Sequence, residues 1–275
     1  MAELANKLSN SLEEKLLSAA FFCRRDFFKL WNQIRNSEDT YLTPEEKCQL
    51  IFEKLEGLSP IHLQPPIRFI SMLSAEYPQI LLELPQPPLG LFILGSIGAG
   101  PFVGIVGSRK PTPYSQRVTR DVARIWSSQG LCIVSGGAYG IDSIAHQTTL
   151  ENNGKTIAVL GGGLRRLYPK THIRIFEEIL KKGGALVSEY PPETDVRPYF
   201  FPERNRIIAA LSDSLFLAQA HEKSGSLLTA RAALDMGREI FVLRPIQGDV
   251  LYAGSQSLIE AGAHCLIDAK ELHQR

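Results

Sequence analysis

The stretch Phe102–Lys110, FVGIVGSRK, is a short apolar run that ends in a glycine, a serine and two cations. Segments with helical spacing at residues 115–129 and 226–236 separate further runs of this kind. These further apolar runs lie at residues 131–134, 156–160, 185–187, 214–218, 239–243 and 264–267. Near-continuous apolar strands that alternate with helices are typical of a parallel sheet covered on both faces. The sequence therefore predicts an α/β fold with a doubly wound, mostly parallel sheet.

The chain before residue 102 follows the spacing of helices instead of strands. Apolar residues over 12–34 recur at helical spacing behind a capping box formed by Ser11 and Glu14. Thr43, followed by a proline and two glutamates, predicts a second helix start, with Gly57 as the end of that helix. A third, short helix is predicted at residues 67–73.

Proline and glycine mark the boundary between the two parts of the chain. Eight of these residues fall between positions 85 and 101, so we predict a linker there, with one edge strand at residues 91–94. The predicted organisation is a small helical N-terminal domain at 1–84, a linker at 85–101 and the α/β domain at 102–275.

The composition is that of an ordinary globular protein. The 275 residues are 44 % hydrophobic and 21 % charged, which excludes a disordered, collagenous or coiled-coil chain. No apolar run approaches the ~18 residues of a membrane span, and acidic residues among the first thirty argue against a secretory signal. Four scattered cysteines without a CxxC pair favour the reducing cytoplasm over a disulfide framework or a zinc site. We expect a soluble cytoplasmic protein without a bound metal.

Charge is distributed unevenly along a chain whose net charge is only +1. Residues 1–100 contain 9 basic and 12 acidic residues, a net −3, whereas residues 101–275 contain 21 and 17, a net +4. Fourteen of those 21 are arginine, the planar cation suited to bidentate phosphate binding. An excess of this size does not identify a partner, but a cluster at one edge of the sheet would.

Glycine and hydroxyl residues follow the ends of the predicted strands. Parallel sheets bind ligands beyond the carboxyl ends of their strands, where glycine lets a phosphate approach the backbone and helix N-termini offer N–H donors. Tight turns need glycine in any case, so only several such turns at one edge indicate an anion site. The candidate residues are Gly107, Ser108, Arg109, Ser135, Gly136, Gly137, Gly161, Gly162, Gly163, Ser224, Gly225, Ser226 and Thr229. No GxxxxGK(S/T) motif is present, which excludes a P-loop NTPase.

Two arginines stand where a helix is predicted to begin. Pro202 has the position of the first residue of a helix that runs to about Leu211, so Arg204 and Arg206 fall in its first turns. Cations at a helix N-terminus oppose the helix dipole, and a bound anion would reverse this cost. The alternative is an ion pair with a nearby glutamate, Glu203 or Glu189.

Patterns typical of catalysis are weak in this sequence. Asp142 and His146 have the spacing of one helix face, but no Gly-x-Ser-x-Gly nucleophile elbow accompanies them. His172, His221 and His264 lack the spacing of metal ligands. We therefore expect neither a hydrolytic triad nor a metal site.

Taken together, these motifs resemble the DNA processing protein A (DprA/Smf) family. The resemblance extends from Tyr77 to Ile267 in order and spacing. It rests on GSR at 107–109, SGG at 135–137, GID at 140–142, TIAVLG at 156–161, YPK at 168–170, SEYP at 188–191, FPERNRIIA at 201–209 and SGSLLTA at 224–230. It implies an extended Rossmann-like fold and a non-catalytic homodimer without a cofactor. Such a protein binds single-stranded DNA without marked sequence preference, protects incoming strands and loads the RecA recombinase during natural transformation.

The resemblance also implies roles for individual residues. Arg109 and Lys170 occupy the positions whose charge holds the DNA backbone. The glycine turns and residues 224–226 line the same pocket, together with Arg204, Asn205 and Arg206. The candidates for base stacking are Tyr139, Tyr168, Tyr199, Phe200 and Phe201, of which the two phenylalanines are expected in the core.

The sequence departs from the family pattern at two positions of this pocket. Gln219 stands where glutamate is usual, which puts in doubt any buried acid–arginine pairing in the pocket. Arg165 stands where an acid is common, so the mouth of the pocket is expected to be more basic.

An alternative is a nucleotide-binding enzyme of the lysine-decarboxylase-like (LOG) phosphoribohydrolase kind, which has a similar scaffold. That family carries a Pro-Gly-Gly-x-Gly-Thr motif followed by a glutamate. Residues 224–229 read SGSLLT here, without an acid directly after them. The interpretation as an NAD-dependent enzyme has still less support, because the GxGxxG spacing is missing.

Overall fold

A computed structural model describes residues 12–21, 24–35, 42–54 and 61–274. Within these ranges it contains one nine-stranded sheet in the order β1-β2-β6-β5-β4-β3-β7-β8-β9. The strands are β1 (Arg68–Ser71), β2 (Gly90–Gly95), β3 (Phe102–Val106), β4 (Cys132–Ser135), β5 (Thr156–Leu160), β6 (Ala185–Ser188), β7 (Ser214–Leu217), β8 (Glu239–Leu243) and β9 (His264–Leu266). Strands β3 to β9 are parallel, and β2 is antiparallel to both of its neighbours, β1 and β6. The predicted α/β class with a mostly parallel sheet is confirmed.

Helices cover both faces of this sheet, which is the doubly wound arrangement that was predicted. They are α1 (residues 12–21), α2 (Arg24–Arg35), α3 (Pro44–Phe52), α4 (Pro113–Ser128), α5 (Ile141–Glu151), α6 (Ile173–Lys181), α7 (Phe200–Leu211), α8 (Gly225–Asp235) and α9 (Ala253–Glu260). On one face α5 packs between α4 and α6, and on the other α7 packs against α8. None of the described helices is both long and apolar enough to pass through a bilayer.

The strand order reverses at β3, and this reversal positions the site. Strands β4, β5 and β6 follow on one side of β3, whereas β7, β8 and β9 lie on the other. The turns after β3 and β7 therefore leave the sheet in opposite directions. Doubly wound sheets bind ligands at such a switch point, beyond the carboxyl ends of the strands.

Helix α4 packs on the sheet through the apolar face that its sequence predicts. Val118, Val122 and Trp126 are each at most 9 % exposed. The Trp126 ring lies edge-on to Phe216 and Phe241, with centroid distances of 6.5 and 6.3 Å. Full burial of each large apolar side chain contributes about 1.5–3 kcal/mol, so this contact fixes which side of α4 faces the solvent.

The short helix predicted at residues 67–73 is wrong, because this segment forms strand β1. Residues Arg68 to Ser71 pair antiparallel with residues 90–93 of β2. Ile67 and Ile70 are buried, as a helical spacing would also require. Four residues that pair with a distant part of the chain form a ladder that local spacing does not reveal.

The segment predicted as a linker contains a strand inside the sheet. Strand β2 includes the predicted strand at 91–94, but it pairs with both β1 and β6, so β1 and not β2 forms the edge. The division of the chain into domains at residues 84 and 102 stays a prediction. Helix α3 begins as predicted, with the reciprocal capping box of Thr43 and Glu46. The predicted end of this helix at Gly57 is wrong, because α3 ends at Phe52 and residues 53 and 54 form a turn. The predicted capping box at Ser11 lies outside the described residues.

His146 is a buried residue of α5 whose hydrogen-bond partner is a threonine. Its Nδ1 atom lies 2.7 Å from Oγ1 of Thr156, and that hydroxyl donates to the Ile133 carbonyl oxygen at 2.7 Å. The Nδ1 atom of His146 is therefore the donor of this pair. Burial lowers the pKa of His146 to about 3, so the imidazole is neutral at physiological pH. His146 is thus hydrogen-bonded to Thr156, whereas Asp142, four residues earlier, accepts from a backbone N–H instead.

We predict that this neutral imidazole makes stability depend on pH. Below pH 6.5 the unfolded chain binds a proton that folded His146 does not, so the free energy of unfolding falls by ~1.4 kcal/mol per pH unit down to about pH 3. In urea titrations, the difference in this free energy between wild type and His146→Gln should decrease by about 2 kcal/mol from pH 6.5 to pH 5. Other titrating groups cancel in this difference, and a constant difference would contradict the prediction.

Candidate functional site

The turns after β3 and β4 lie against each other at the carboxyl edge of the sheet. The Ile141 N–H, at the start of α5, donates to the Ser108 carbonyl oxygen at 3.1 Å. Gly140 has a φ of 77°, and a Cβ atom there would lie 2.4 Å from the same oxygen. Glycine is therefore required at this position for the two turns to meet.

A buried guanidinium from α7 connects the turn after β4 with the end of β5. Arg204 is 4 % exposed, and its Nη1 donates to the carbonyl oxygens of Gly136, at 2.6 Å, and of Val159. The Asp142 carboxylate lies beside this guanidinium and accepts from the Ala138 N–H at 3.3 Å. A Cβ atom at Gly136 would lie 2.5 Å from Nη2 of Arg204 and 2.6 Å from Oδ2 of Asp142. The buried pair thus requires glycine at position 136.

Burial shifts the pKa of both members of this pair. Removal from water lowers the pKa of Arg204 to about 10, and the Asp142 carboxylate opposes that shift. Burial raises the pKa of Asp142 above its usual value, with the Arg204 guanidinium as the strongest opposing influence. The two opposite charges attract each other, so each opposes the effect of burial on the pKa of the other.

The next two residues of α7 extend these connections to two further turns. Oδ1 of Asn205 accepts from Nε of Arg204 at 3.2 Å, and Nδ2 of Asn205 donates to the Gly225 carbonyl oxygen at 3.1 Å. Arg206 forms an ion pair with Glu189, directly after β6, with 2.7 Å between Nη2 and Oε1. Together these residues connect the turn after β4, the end of β5 and the turn after β6 with the start of α8. We call this set the α7 network: Asp142, Glu189, Arg204, Asn205 and Arg206.

Both predicted arginines thus have partners inside the protein. Helix α7 begins at Phe200, two residues before the predicted start at Pro202. Arg206 has the ion pair with Glu189 that the sequence left as the alternative to a bound anion. Arg204 has the Asp142 carboxylate as a nearby counter-charge, which the sequence reasoning missed. The signal in the sequence is an aspartate in the first turn of α5, whose spacing suggests only a contact with His146.

Gln219 connects the turns on the two sides of the switch point. It is 1 % exposed, and its Oε1 atom accepts from the Thr112 N–H at 2.9 Å. Thr112 in turn caps α4, and its Oγ1 lies 2.6 Å from the Tyr252 hydroxyl. The doubt about a buried acid–arginine pairing in this pocket is wrong, because Glu189 forms such an ion pair with Arg206.

The outer surface of this edge carries an exposed cation, Arg109, beside aromatic rings, and a second exposed cation, Lys170, two residues after one of these aromatic residues, Tyr168. The guanidinium carbon of Arg109 lies 5.0 Å from the centroid of Phe201, and the Phe201 and Tyr168 centroids are 6.1 Å apart. Arg109 and Lys170 are exposed, and Tyr168 is 43 % exposed. We call these four residues the outer cluster. Phe200 is buried as expected, but Phe201 is half-buried under Arg109 and does not belong to the core.

The glycines after β5 accommodate a neighbouring loop, residues 191–197. Cβ atoms at Gly162 and Gly163 would lie 2.5 Å from the Val196 side chain and 2.2 Å from the Pro192 carbonyl oxygen. Arg165 forms an ion pair with Glu193 of this loop, with 3.5 Å between Nε and Oε1. The gain in positive charge expected at Arg165 is therefore offset by a carboxylate.

The remaining predicted turn residues divide into packed and open ones. Ser135 is buried and donates to the Ile105 carbonyl oxygen at 2.6 Å, and Thr229 is 1 % exposed. Ser224 caps α8 by accepting from the Ser226 N–H at 3.4 Å. A Cβ atom would lie within 3.1 Å of a neighbouring side chain at Gly107, Gly137 and Gly161, whereas at Gly225 it would meet nothing within 4 Å. The start of α8 is thus the open turn of this set.

Metal ligation has no candidate group in the described part of the chain. No three or more of its His, Cys, Asp and Glu side chains lie close enough together to hold an ion. What the edge offers instead is a set of internally connected turns with exposed cations, the N-terminus of α8 and aromatic rings. Such a surface suits an extended anion better than a small neutral substrate.

The fold and this edge define a Rossmann-like, doubly wound α/β protein whose turns are connected internally by buried charges. The chain belongs to the DNA recombination-mediator protein A family, whose model matches residues 68–275. It is 34 % identical over 233 residues to the DNA processing protein DprA of Bacillus subtilis (strain 168), covering 84 % of this chain and 78 % of that protein. It is 40 % identical over 211 residues to the protein Smf of Escherichia coli (strain K12), covering 76 % of this chain and 56 % of that protein.

Solved structures of the same family superpose on this chain. DNA processing protein A of Streptococcus pneumoniae has a TM-score of 0.73 at 27 % identity, over 98 % of this chain and 97 % of that one. DNA processing protein A of Helicobacter pylori, described for its single-stranded DNA binding mode, has a TM-score of 0.69 at 31 % identity, over 76 % and 94 %. The resemblance stated from the sequence is confirmed, as is the Rossmann-like fold. The chain spans just over half the length of the Synechocystis and Escherichia coli relatives, 54 % and 56 %.

Two glycines of this site provide a matched test of the α7 network. Gly136→Ala should lower the free energy of unfolding by about 1–3 kcal/mol, because its Cβ would displace Arg204 or Asp142. Gly225→Ala, at an open position, should change it by less than ~0.5 kcal/mol. Urea unfolding of both variants measures the difference. Equal stabilities for the two variants would mean that Arg204 and Asp142 are not packed as described.

Proposed function

We propose that this protein binds single-stranded DNA along the carboxyl edge of its sheet, through the phosphate backbone, and passes the strand to a RecA-type recombinase. The observation that carries the proposal is the outer cluster: the exposed Arg109 over the Phe201 ring of α7, the exposed Tyr168 beside that ring, and the exposed Lys170 two residues after Tyr168. Membership of the recombination-mediator family supports this reading, as does the similarity to the Helicobacter pylori protein described for single-stranded DNA binding.

The proposed contacts divide into residues that touch DNA and residues that position them. Arg109 and Lys170 bind phosphates, and the N–H of Gly225, at the start of α8, binds another. Arg204, Asn205 and Arg206 act as positioning residues, because their donors are used by acceptors inside the protein. The turns are held in place before the strand arrives, which lowers the entropy lost on binding.

Exposed tyrosines near the edge supply contacts to the bases. Tyr139, Tyr168 and Tyr199 are each between 42 % and 43 % exposed. Stacking on such rings tolerates any sequence, since every base has a flat face. Phosphate contacts carry no sequence information either. The proposed mode of binding is therefore largely independent of sequence.

The wider role follows from the family and forms part of the proposal. We propose a cytoplasmic homodimer that protects incoming strands and loads the recombinase during DNA uptake, without catalysis and without a cofactor. Bacillus subtilis and Streptococcus pneumoniae relatives carry the name DNA processing protein DprA, which supports a role in DNA handling.

We predict that Arg109→Ala and Lys170→Ala each weaken binding of a ~20-nucleotide single strand and lower the slope of log affinity against log salt concentration by about 0.7. Each variant removes one phosphate contact. Fluorescence anisotropy at several salt concentrations measures both quantities. Lys181→Ala is the control, because this exposed lysine lies at the end of α6, away from the carboxyl edge. A folded variant with the wild-type slope would remove that residue from the site.

The phosphoribohydrolase alternative predicts that the protein cleaves nucleoside monophosphates, whereas the proposed DNA-binding function does not. The buried Asp142 carboxylate lies beside Arg204 and accepts from the Ala138 N–H, and the buried His146 ring is hydrogen-bonded to Thr156. Neither is therefore in position to act as an acid or base on a bound nucleotide. Incubation with nucleoside monophosphates should therefore release no free base beyond the rate in buffer, as followed by chromatography. Release at an enzymatic rate would favour the alternative over DNA binding.

A further inference from the structure

The net positive charge of the α/β part is confined to one turn and one helix. Residues 101–275 contain 21 basic and 17 acidic residues. Five of the basic residues and one acidic residue, Asp121, fall between positions 109 and 124. Outside this segment the counts are equal, 16 and 16. The five basic residues are Arg109, Lys110, Arg117, Arg120 and Arg124.

Helix α4 presents three of these cations on one side. Arg117, Arg120 and Arg124 are exposed, and their spacing of three and four residues places them on one helix face. With 1.5 Å per residue, the three span about 10 Å along the axis. Their face is opposite to the one through which Val118, Val122 and Trp126 pack on the sheet. The stripe begins next to Arg109 and Lys110 and leads away from the carboxyl edge.

The cations in the first half of this stripe have no carboxylate partner among the described residues. Arg124 pairs with Asp121 at 2.9 Å, whereas Arg117 lies over the Tyr114 ring, with 5.7 Å to its centroid. Within the described residues, no carboxylate forms an ion pair with Arg117 or Arg120. Several exposed cations outside α4 do have such partners, as in the pairs Arg68–Glu76, Arg166–Glu193 and Lys181–Glu178.

We infer that the exposed face of α4, through Arg117 and Arg120, is a second phosphate-binding segment that carries a long single strand away from the carboxyl edge. The inference rests on the proposed function and names an additional part of the same interface. Continuity favours this ligand, because the stripe starts at the cations of the edge and follows the helix without an intervening acidic residue up to Asp121. A strand bound at Arg109 would continue over α4, so the site is longer than the pocket at the edge.

DNA strands of two lengths distinguish binding along α4 from binding at the carboxyl edge. Fluorescence anisotropy would compare a ~6-nucleotide strand, which fills the edge alone, with a ~30-nucleotide strand. Arg117→Ala/Arg120→Ala should leave the affinity for the short strand within about twofold and weaken the long strand about tenfold. The salt slope for the long strand should fall by about 1.4, since each phosphate contact of a single strand contributes ~0.7.

Two further variants control for charge and for folding. Lys155→Ala/Lys181→Ala removes two exposed cations away from the carboxyl edge and should leave both strands unaffected. Arg117→Lys/Arg120→Lys keeps the charge and should retain most of the affinity for the long strand. Alanine and lysine are both good helix formers on an exposed face, and circular dichroism checks the fold.

The outcomes separate this inference from the proposed function. If wild type binds both strands and the alanine pair weakens neither, or weakens both equally, α4 is not a separate segment and only the inference is overturned. If wild type binds neither strand, the proposed function fails, and the inference fails with it. A loss confined to the long strand supports both.

Discussion

The burial of the Arg204 guanidinium is the constraint on which the carboxyl edge of this sheet depends. A guanidinium taken out of water needs acceptors for its donors and a counter-charge nearby. The Gly136 and Val159 carbonyl oxygens accept from it, and the Asp142 carboxylate in the first turn of α5 is the counter-charge. Gly136 leaves room for both charges, and Asn205 and Arg206 continue the contacts to α8 and to Glu189 after β6. Three consecutive residues of one helix thereby connect the turn after β4, the end of β5, the turn after β6 and the start of α8.

This arrangement separates the arginines of the edge by function. Cations in the first turns of α7 would be unfavourable if they faced solvent, because they oppose the helix dipole. Their acceptors inside the protein remove that cost. Arg109 and Lys170 lie on the outside, where the phosphates of a strand can reach them. The sign of a charge near a sheet edge is thus a weaker guide to its role than its burial.

The sequence predicted the parallel strands and the buried face of α4 because their apolar spacing is local. It failed at β1, where Ile67 and Ile70 fit a helix equally well and only the ladder with β2 decides. It named Arg204 and Arg206 but could not choose between an anion and an internal partner, since the acid that pairs with Arg204 lies 62 positions earlier. The sequence predicts that Gly162 and Gly163 line a ligand site, whereas the loop at residues 191–197 occupies the space beside them. Contacts between distant segments account for each of these differences.

The hydrogen bond from Thr112 to Gln219 has a consequence for the shape of any ligand. In dinucleotide-binding enzymes of this architecture, the crevice where the strand order reverses admits a compact cofactor that descends between the two halves of the sheet. Here a side chain bridges that crevice at its mouth. A ligand must then lie across the mouth of the crevice. This geometry favours an extended polymer, which is bound along its length, over a small molecule that has to be enclosed.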